Sequence, residues 1–284
     1  MNTTIRKDNY SATISTLGAE LISLEKDGKN ILWNRNQKYW GDSALVLFPF
    51  VGRNYSDTYT YNNEEYNIGI HGFGPKSEFS IINQSEDSIT LSLHENEETL
   101  KSYPFHFNFK ITFTLSANGL NVTYSITNDS KDMMYFTCGW HPGFIIDKPL
   151  NQYKVSFPKA NDPEEICIVT KCMVTDEIKP FYLEDNSIRL DPSLFTESAK
   201  ILKGVGDTAI LYDLDGNKVV EIEYSNFENI VLWQTLNSDA PFICIEGWRG
   251  VPGRYEKIDE ITEIKEKTTL EKGETFIAKA AVRF

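Results

Sequence analysis

The segment GWHPGF, residues 139–144, carries one of only four histidines in 284 residues. His141 stands between Trp140 and Pro142. Proline disfavours the helical region for the residue before it, so His141 is held extended or in a turn. Three further segments end an apolar run in a polar group beside glycine or proline. They are LFPFVGRN with Arg53, YNIGIHGFGP with His71 and FICIEGWRG with Glu246. In the last, strand alternation puts Phe242, Cys244 and Glu246 on one side. A carboxylate that shares an interior face with Phe and Cys is partly desolvated, and its pKa rises toward the range of a general base. An imidazole and such a carboxylate are groups suited to moving protons near neutral pH.

Each of these residues also has a plain structural reading. A histidine beside tryptophan serves in many β proteins as a packed, hydrogen-bonded residue. Glu246 has Arg249 and Arg254 nearby in sequence as ion-pair partners, and Arg53 suits a structural salt bridge. His94 lies among acidic residues near a strand end, and His106 falls on the polar face of its strand; both read as exposed. Other chemistry leaves no trace: there is no GxGxxG after a strand, no P-loop, no HExxH and no GxSxG. The histidines are too far apart for a familiar zinc spacing, which leaves spatial convergence as the one route to a metal site. No cofactor or metal is expected.

The elements that must hold these groups are strands. In FHFNFKITFTL, Phe105, Phe107, Phe109, Ile111, Phe113 and Leu115 alternate with polar residues. A hairpin signal at Asn118-Gly119 follows, and Leu120, Val122, Tyr124 and Ile126 alternate after it. A one-residue slip would turn every apolar side chain to water, so the register is well specified. SATISTLGAELISL, SITLSLHEN, TAILYDLDGNKVVEIEYS, NIVLWQT, APFICIEGW and GETFIAKAAVRF read the same way. Helical periodicity is scarce, with short candidates around 191–203 and 161–170. The class is all-β: a large antiparallel β-sandwich in a single domain, residues 1–284, with few short helices. The charged run YEKIDEITEIKEKTTLEKGE reads as a solvated face or loop before the last strand.

A net charge of −13 argues against nucleic acid or an anionic membrane as a partner. The N-terminus has no apolar run after its positive charges and so does not read as a secretory leader. No stretch of about 18 apolar residues exists, so no transmembrane helix is expected. The four cysteines form no CxxC pair, which reads as free thiols in a cytoplasmic protein.

Taken in order, LGAELISL, FPFVGR, IGIHGF, YPF at 103–105, GWHPGF, GDTAILYD and FICIEGW resemble the aldose 1-epimerase family, with its galactose mutarotase-like fold, and in particular its LacX-like branch. The resemblance implies one large β-sandwich with the site in an open cleft on a concave face. It implies a free hexose as ligand and opening and reclosure of its hemiacetal ring as the reaction. By that resemblance Glu246 is the general base on the anomeric hydroxyl, His141 the general acid on the ring oxygen, and His71 a hydrogen-bonding group that helps polarise the reacting oxygens. Arg53 and Asp207 bind sugar hydroxyls, and Trp248 and Phe73 stack on the ring. An acid that starts protonated implies a His141 pKa above about 6.5. The sequence departs from the family pattern at Gly247, where proline follows the glutamate, and at Gly143, a tyrosine position. The arginine segment is shortened to GRNYSD. Two alternatives use the same scaffold: a hexose-6-phosphate mutarotase, with Lys76, Arg249 and Arg254 as candidate phosphate ligands, and a non-catalytic sugar-binding or sensing protein.

Overall fold

The computed structural model describes the backbone of residues 1–284 and all side chains but that of Thr170. Two antiparallel sheets dominate it, one of nine strands and one of seven. The hairpin Phe107–Ser116 and Gly119–Asn128 sits in the nine-stranded sheet. Phe107, Phe109, Ile111, Phe113 and Leu115 are all buried while their neighbours are not, as the alternation predicts. Ser116 pairs with Gly119, so the turn closes over residues 117 and 118, one position before the expected Asn118-Gly119 centre.

The seven-stranded sheet carries the chemistry. Three antiparallel neighbours at one side of it matter most: Ala44–Leu47 at the edge, then Cys138–Ile145, then Phe242–Arg249. Trp140, Ile243 and Ile245 turn inward to the core shared with the nine-stranded sheet. Tyrosines of the nine-stranded sheet tie the two layers together. The Tyr124 hydroxyl donates to the Gly139 carbonyl at 3.1 Å and the Tyr224 hydroxyl to the Ile245 carbonyl at 2.7 Å. Leu47, Val231 and Trp248 point the other way and form a second apolar cluster. Trp33, Phe242 and Cys244 belong to a third. The face shared by Phe242, Cys244 and Glu246 is therefore the outer face of this sheet and not the sandwich interior. It is nonetheless dry, because loops and aromatic rings cover it.

The helix expectations need correction. Residues 164–169 and 200–203 are strands of the seven-stranded sheet; Pro192–Phe195 is helical, as a 3-10 turn, and a second 3-10 turn, Thr170–Cys172, begins where the other stretch ends. β-branched Ile166, Ile168 and Val169 favour the extended form there. The α-helix lies elsewhere, at Glu97–Ser102, opened by Asn96, whose side chain accepts from the Glu98 and Thr99 amides. The charged run before the last strand is only half solvated. Ile261 and Ile264 are buried, and Asp259 is buried against Arg254. Among the described residues, no helix is long and apolar enough to cross a membrane.

Candidate active site

Register brings the two proton-transfer groups together. Trp140 stands opposite Gly247 and Gly143 opposite Cys244, which sets His141 opposite Glu246 on adjacent strands. His141 Nε2 lies 3.3 Å from Glu246 Oε1. The angles do not make a hydrogen bond, and Glu246 Oε1 and His141 Nδ1 are left without partners among the described residues. The other carboxylate oxygen is fixed, since Trp248 Nε1 donates to Glu246 Oε2 at 2.8 Å. Glu246 is 1% exposed and His141 6%. An unpaired polar atom so deeply buried is costly and is retained where it has work to do.

The glycine in the family's proline position has a local cause. A Cβ on Gly247 would come within 2.5 Å of the Tyr224 ring, so the neighbour of Glu246 is bare to let that ring pack beneath the sheet. His71 arrives on a different element. It adopts a left-handed φ of 63°. Gly72 follows with φ 72°, where a Cβ would collide with the Phe48 carbonyl oxygen at 2.2 Å. The turn is clipped twice to Gly52: His71 N–H donates to the Gly52 carbonyl at 2.7 Å, and Gly52 N–H donates to His71 Nδ1 at 3.1 Å. The second bond leaves Nε2 as the protonated nitrogen and donor of neutral His71. Its ring centroid lies 5.8 Å from that of His141 and 6.1 Å from that of Trp248.

These groups line one cleft of about 510 Å³, within the range of about 300–1,000 Å³ usual for small-ligand sites. Arg53 lines it as well and is held by Asp57, while its Nε is buried without a partner. Trp248 is in the wall, though its polar edge serves Glu246. Two sequence expectations fall outside. Asp207 sits at the start of a strand of the nine-stranded sheet, where Lys159 and Thr208 donate to it at 2.7 and 2.8 Å; it lines no part of this cleft. Phe73 stacks on Phe107 with centroids 5.9 Å apart and belongs to the core. An apolar ring offered three core neighbours, Phe48, Tyr103 and Phe107, stays with them. Of the basic residues, Lys76 lines the cleft, whereas Arg249 pairs with Glu228 and Arg254 with Asp259.

Sequence reasoning missed Trp40 and Trp233. The Trp40 ring lies 4.9 Å from the His141 ring, tilted by 32°, and Trp233 meets His141 edge-on at 5.5 Å. Both line the cleft, as do Lys171 and Cys172. The available signal was composition: with five tryptophans in the chain, one just before Gly41 in a polar loop is worth asking about. Gly143 leaves room for this arrangement, because a Cβ there would lie 3.0 Å from Trp40 and 3.2 Å from Trp33.

Burial governs the electrostatics. Desolvation pushes Glu246 well above the usual carboxylate range, only partly opposed by the Trp248 hydrogen bond. Desolvation pushes His141 well below 6.5, with His71 adding to the effect. His71 falls to about 3 through desolvation and the charges of Arg53 and Lys76. The direction for His141 is the opposite of the sequence expectation. The dry walls disfavour charge on either partner, which favours the carboxylic acid and the neutral imidazole. That pair still holds one transferable proton and one basic lone pair.

Comparison with known proteins agrees with this geometry. Residues 1–283 match the aldose 1-epimerase family. The plasmid-encoded protein LacX of Lactococcus lactis is 29% identical over 288 residues, covering 95% of this chain and 94% of its own. The crystal structure of a galactose mutarotase-like protein from Lactobacillus casei superposes with a TM-score of 0.94 at 26% identity, covering 100% of this chain and 99% of its own. A galactose mutarotase related enzyme from Lactobacillus acidophilus gives 0.90 at 28%, covering 100% and 97%. With a family match across almost its whole length, over a fold that sets a histidine and a glutamate side by side in a cleft, the chain belongs to the aldose 1-epimerase family.

Proposed function

We propose that this protein is a mutarotase that interconverts the α and β anomers of a hexose. What supports the reading is the 3.3 Å approach of His141 Nε2 to a carboxylate oxygen that has no other partner among the described residues, in a cleft sized for a monosaccharide. Ring opening removes a proton from O1 and delivers one to the ring oxygen, while the hemiacetal C1–O5 bond breaks. Rotation about C1–C2 and reclosure return both protons. Glu246 takes the proton from O1 and His141 gives one to O5. Sugar hydroxyls donating to the carboxylate favour its ionised form, so the proton of the resting pair shifts to His141 as substrate binds. Each group then contributes a rate factor of about 10²–10⁴. His71, neutral and fixed as an Nε2–H donor, hydrogen-bonds to the reacting oxygens. Arg53 donates to sugar hydroxyls, and Trp40, Trp233 and Trp248 give the ring an apolar wall.

A second reading is favoured by one observation. Lys76 and Lys171 line the cleft with no anion partner among the described residues, in a chain of net charge −13. Two free cations beside Arg53 suit a sugar that carries a phosphate.

The test is polarimetry. Freshly dissolved α-D-glucose, α-D-galactose and α-D-glucose 6-phosphate are followed with and without protein. Mutarotation faster than the spontaneous rate is expected, and greater acceleration of the phosphorylated sugar would select the second reading. Saturable sugar binding with no acceleration of any substrate would sink the catalytic assignment in favour of a sensor.

A further inference from the structure

The proton-transfer pair has a third neighbour that the mechanism does not use. Cys244 lies two residues before Glu246 on the same strand and the same face. A ring nitrogen of His141, the Cys244 sulfur and a Glu246 carboxylate oxygen all lie within 4.8 Å of one another, and all three residues are buried. Glu246 Oε1, directed at His141 from a side chain 1% exposed, has no hydrogen-bond partner among the described residues. Spatial convergence thus supplies what sequence spacing did not.

We propose that His141, Cys244 and Glu246 form a binding site for zinc or a similar soft divalent cation, and that occupancy switches proton transfer off. The binding half stands on this geometry alone, while the inhibitory half rests on the proton relay described above. The donor set decides the metal. One imidazole, one thiolate and one carboxylate suit zinc, whereas magnesium and calcium require oxygen ligands that a single carboxylate does not supply. Bond lengths of about 2.0–2.3 Å at tetrahedral angles set donor atoms about 3.3–3.6 Å apart. The His141–Glu246 approach of 3.3 Å already meets that spacing, and a side-chain shift of the thiol completes it. Three protein ligands leave a fourth position. His141 and Glu246 line the cleft, so that position opens toward it, and the cleft is also the way in.

Binding is an exchange of cation for protons. The metal takes the place of whatever protons the three ligand atoms carry, the Cys244 thiol proton among them, and these leave to solvent as the dication enters. Nothing is oxidised or reduced. The lone pairs on Glu246 and His141 are then committed to the metal, which leaves neither a base for O1 nor an acid for O5. This is inhibition and not assistance, because the cation uses the same two side chains that the relay needs.

The experiment titrates the full chain with Co²⁺, without thiol reductant and under inert gas. A thiolate-to-cobalt charge-transfer band in the near ultraviolet is expected to saturate at about one equivalent and to be bleached by Zn²⁺. Cys244→Ser should lose the band and weaken Co²⁺ binding about tenfold or more. Cys172→Ser, which alters the cleft-lining thiol, should keep it. Zn²⁺ should raise the melting temperature of the parent and not of Cys244→Ser, a comparison that also certifies that the variant folds. No band in folded parent, or a band that disappears with Cys172 and persists without Cys244, overturns the site. Zn²⁺ should also abolish mutarotation in the parent. A chain that binds Co²⁺ through Cys244 but never accelerates mutarotation retains the metal site and loses the relay. A chain that accelerates mutarotation and gives no band retains the relay and loses the metal site.

Discussion

Two carboxylates, Glu246 within a strand and Asp207 just before one, have surroundings that make them different reagents. Glu246 lies on the outer face of the seven-stranded sheet, 1% exposed, with one oxygen held by Trp248 and the other without a partner among the described residues. Asp207 lies at the margin of the nine-stranded sheet with its side chain 53% exposed. Lys159 and Thr208 donate to it and hold its carboxyl below the usual range. One environment makes a carboxyl hungry for protons, and the other makes it surrender them. Residue type and position along a strand therefore do not make a base; the absence of water and of competing donors does.

The sharpest way to break this contrast is to neutralise each carboxyl. Glu246→Gln should slow mutarotation by about 10²–10⁴, because an amide accepts no proton, and His141→Asn should do the same. Asp207→Asn should leave the rate unchanged. A comparable loss at Asp207, read by polarimetry, would put the contrast itself in error. Stability should move in the reverse sense. Glu246→Gln removes a desolvated ionisable group and should raise the melting temperature, as is common when a functional site is stored at a cost to the fold. Asp207→Asn should lower the unfolding free energy by no more than about 1 kcal/mol, the most that an exposed pair commonly contributes.

A middling effect is expected at Gly247. Alanine there drives a Cβ into the Tyr224 ring and should destabilise by about 1–3 kcal/mol in thermal or urea unfolding. If Gly247→Ala is as stable as the parent, the ring beneath the sheet yields, and the packing account of that position is wrong.

The pH dependence sharpens the comparison further. Burial favours the pair with exactly one proton, so the first ionisation moves down and the second up. The rate of the parent should stay flat on both sides of the window bounded by about pH 4.3 and about pH 6.5, the values of the free groups. Folding stability answers to each group separately. His141 and His71 have folded pKa values below their unfolded ones, so their contribution is whole above about pH 6.5 and is lost as the pH falls toward the folded values, about 3 for His71. Glu246 has a raised folded pKa, so its contribution is whole below about pH 4.3 and is lost as the pH climbs. The smallest effect is therefore a shallow acid-side slope in melting temperature between about pH 6.5 and 4, which His71→Asn should flatten. An unchanged slope would mean that His71 is charged in the folded protein.

The sheets were legible because alternation has a period of two and a one-residue slip is punished at every position. Phe107 to Leu115 declare their face outright. His141, Glu246, His71 and Arg53 were legible as polar groups closing apolar runs, although His141 and Glu246 lie within strands Cys138–Ile145 and Phe242–Arg249 and not at their ends. Three of the four stand beside a glycine whose bareness has a steric reason at Gly72, Gly247 and Gly52. Asp207 and Phe73 misled because a motif position fixes where a residue stands in the chain but not which neighbour claims its side chain. Trp40 escaped because its loop has no period to read. The His141 pKa ran opposite to expectation because a nearby carboxylate supports an imidazolium only if that carboxylate is itself charged, and the dry face denies charge to both.

His141 and Glu246 sit opposite each other on adjacent strands, while much of the rest of the cleft lining comes from connecting segments: Trp40 from an irregular loop, Lys76 and Lys171 from 3-10 turns. Reactivity and taste are thus housed in separate parts of the chain. Exchanging those connectors between family members should retarget the protein to another sugar while leaving the bond-breaking apparatus untouched.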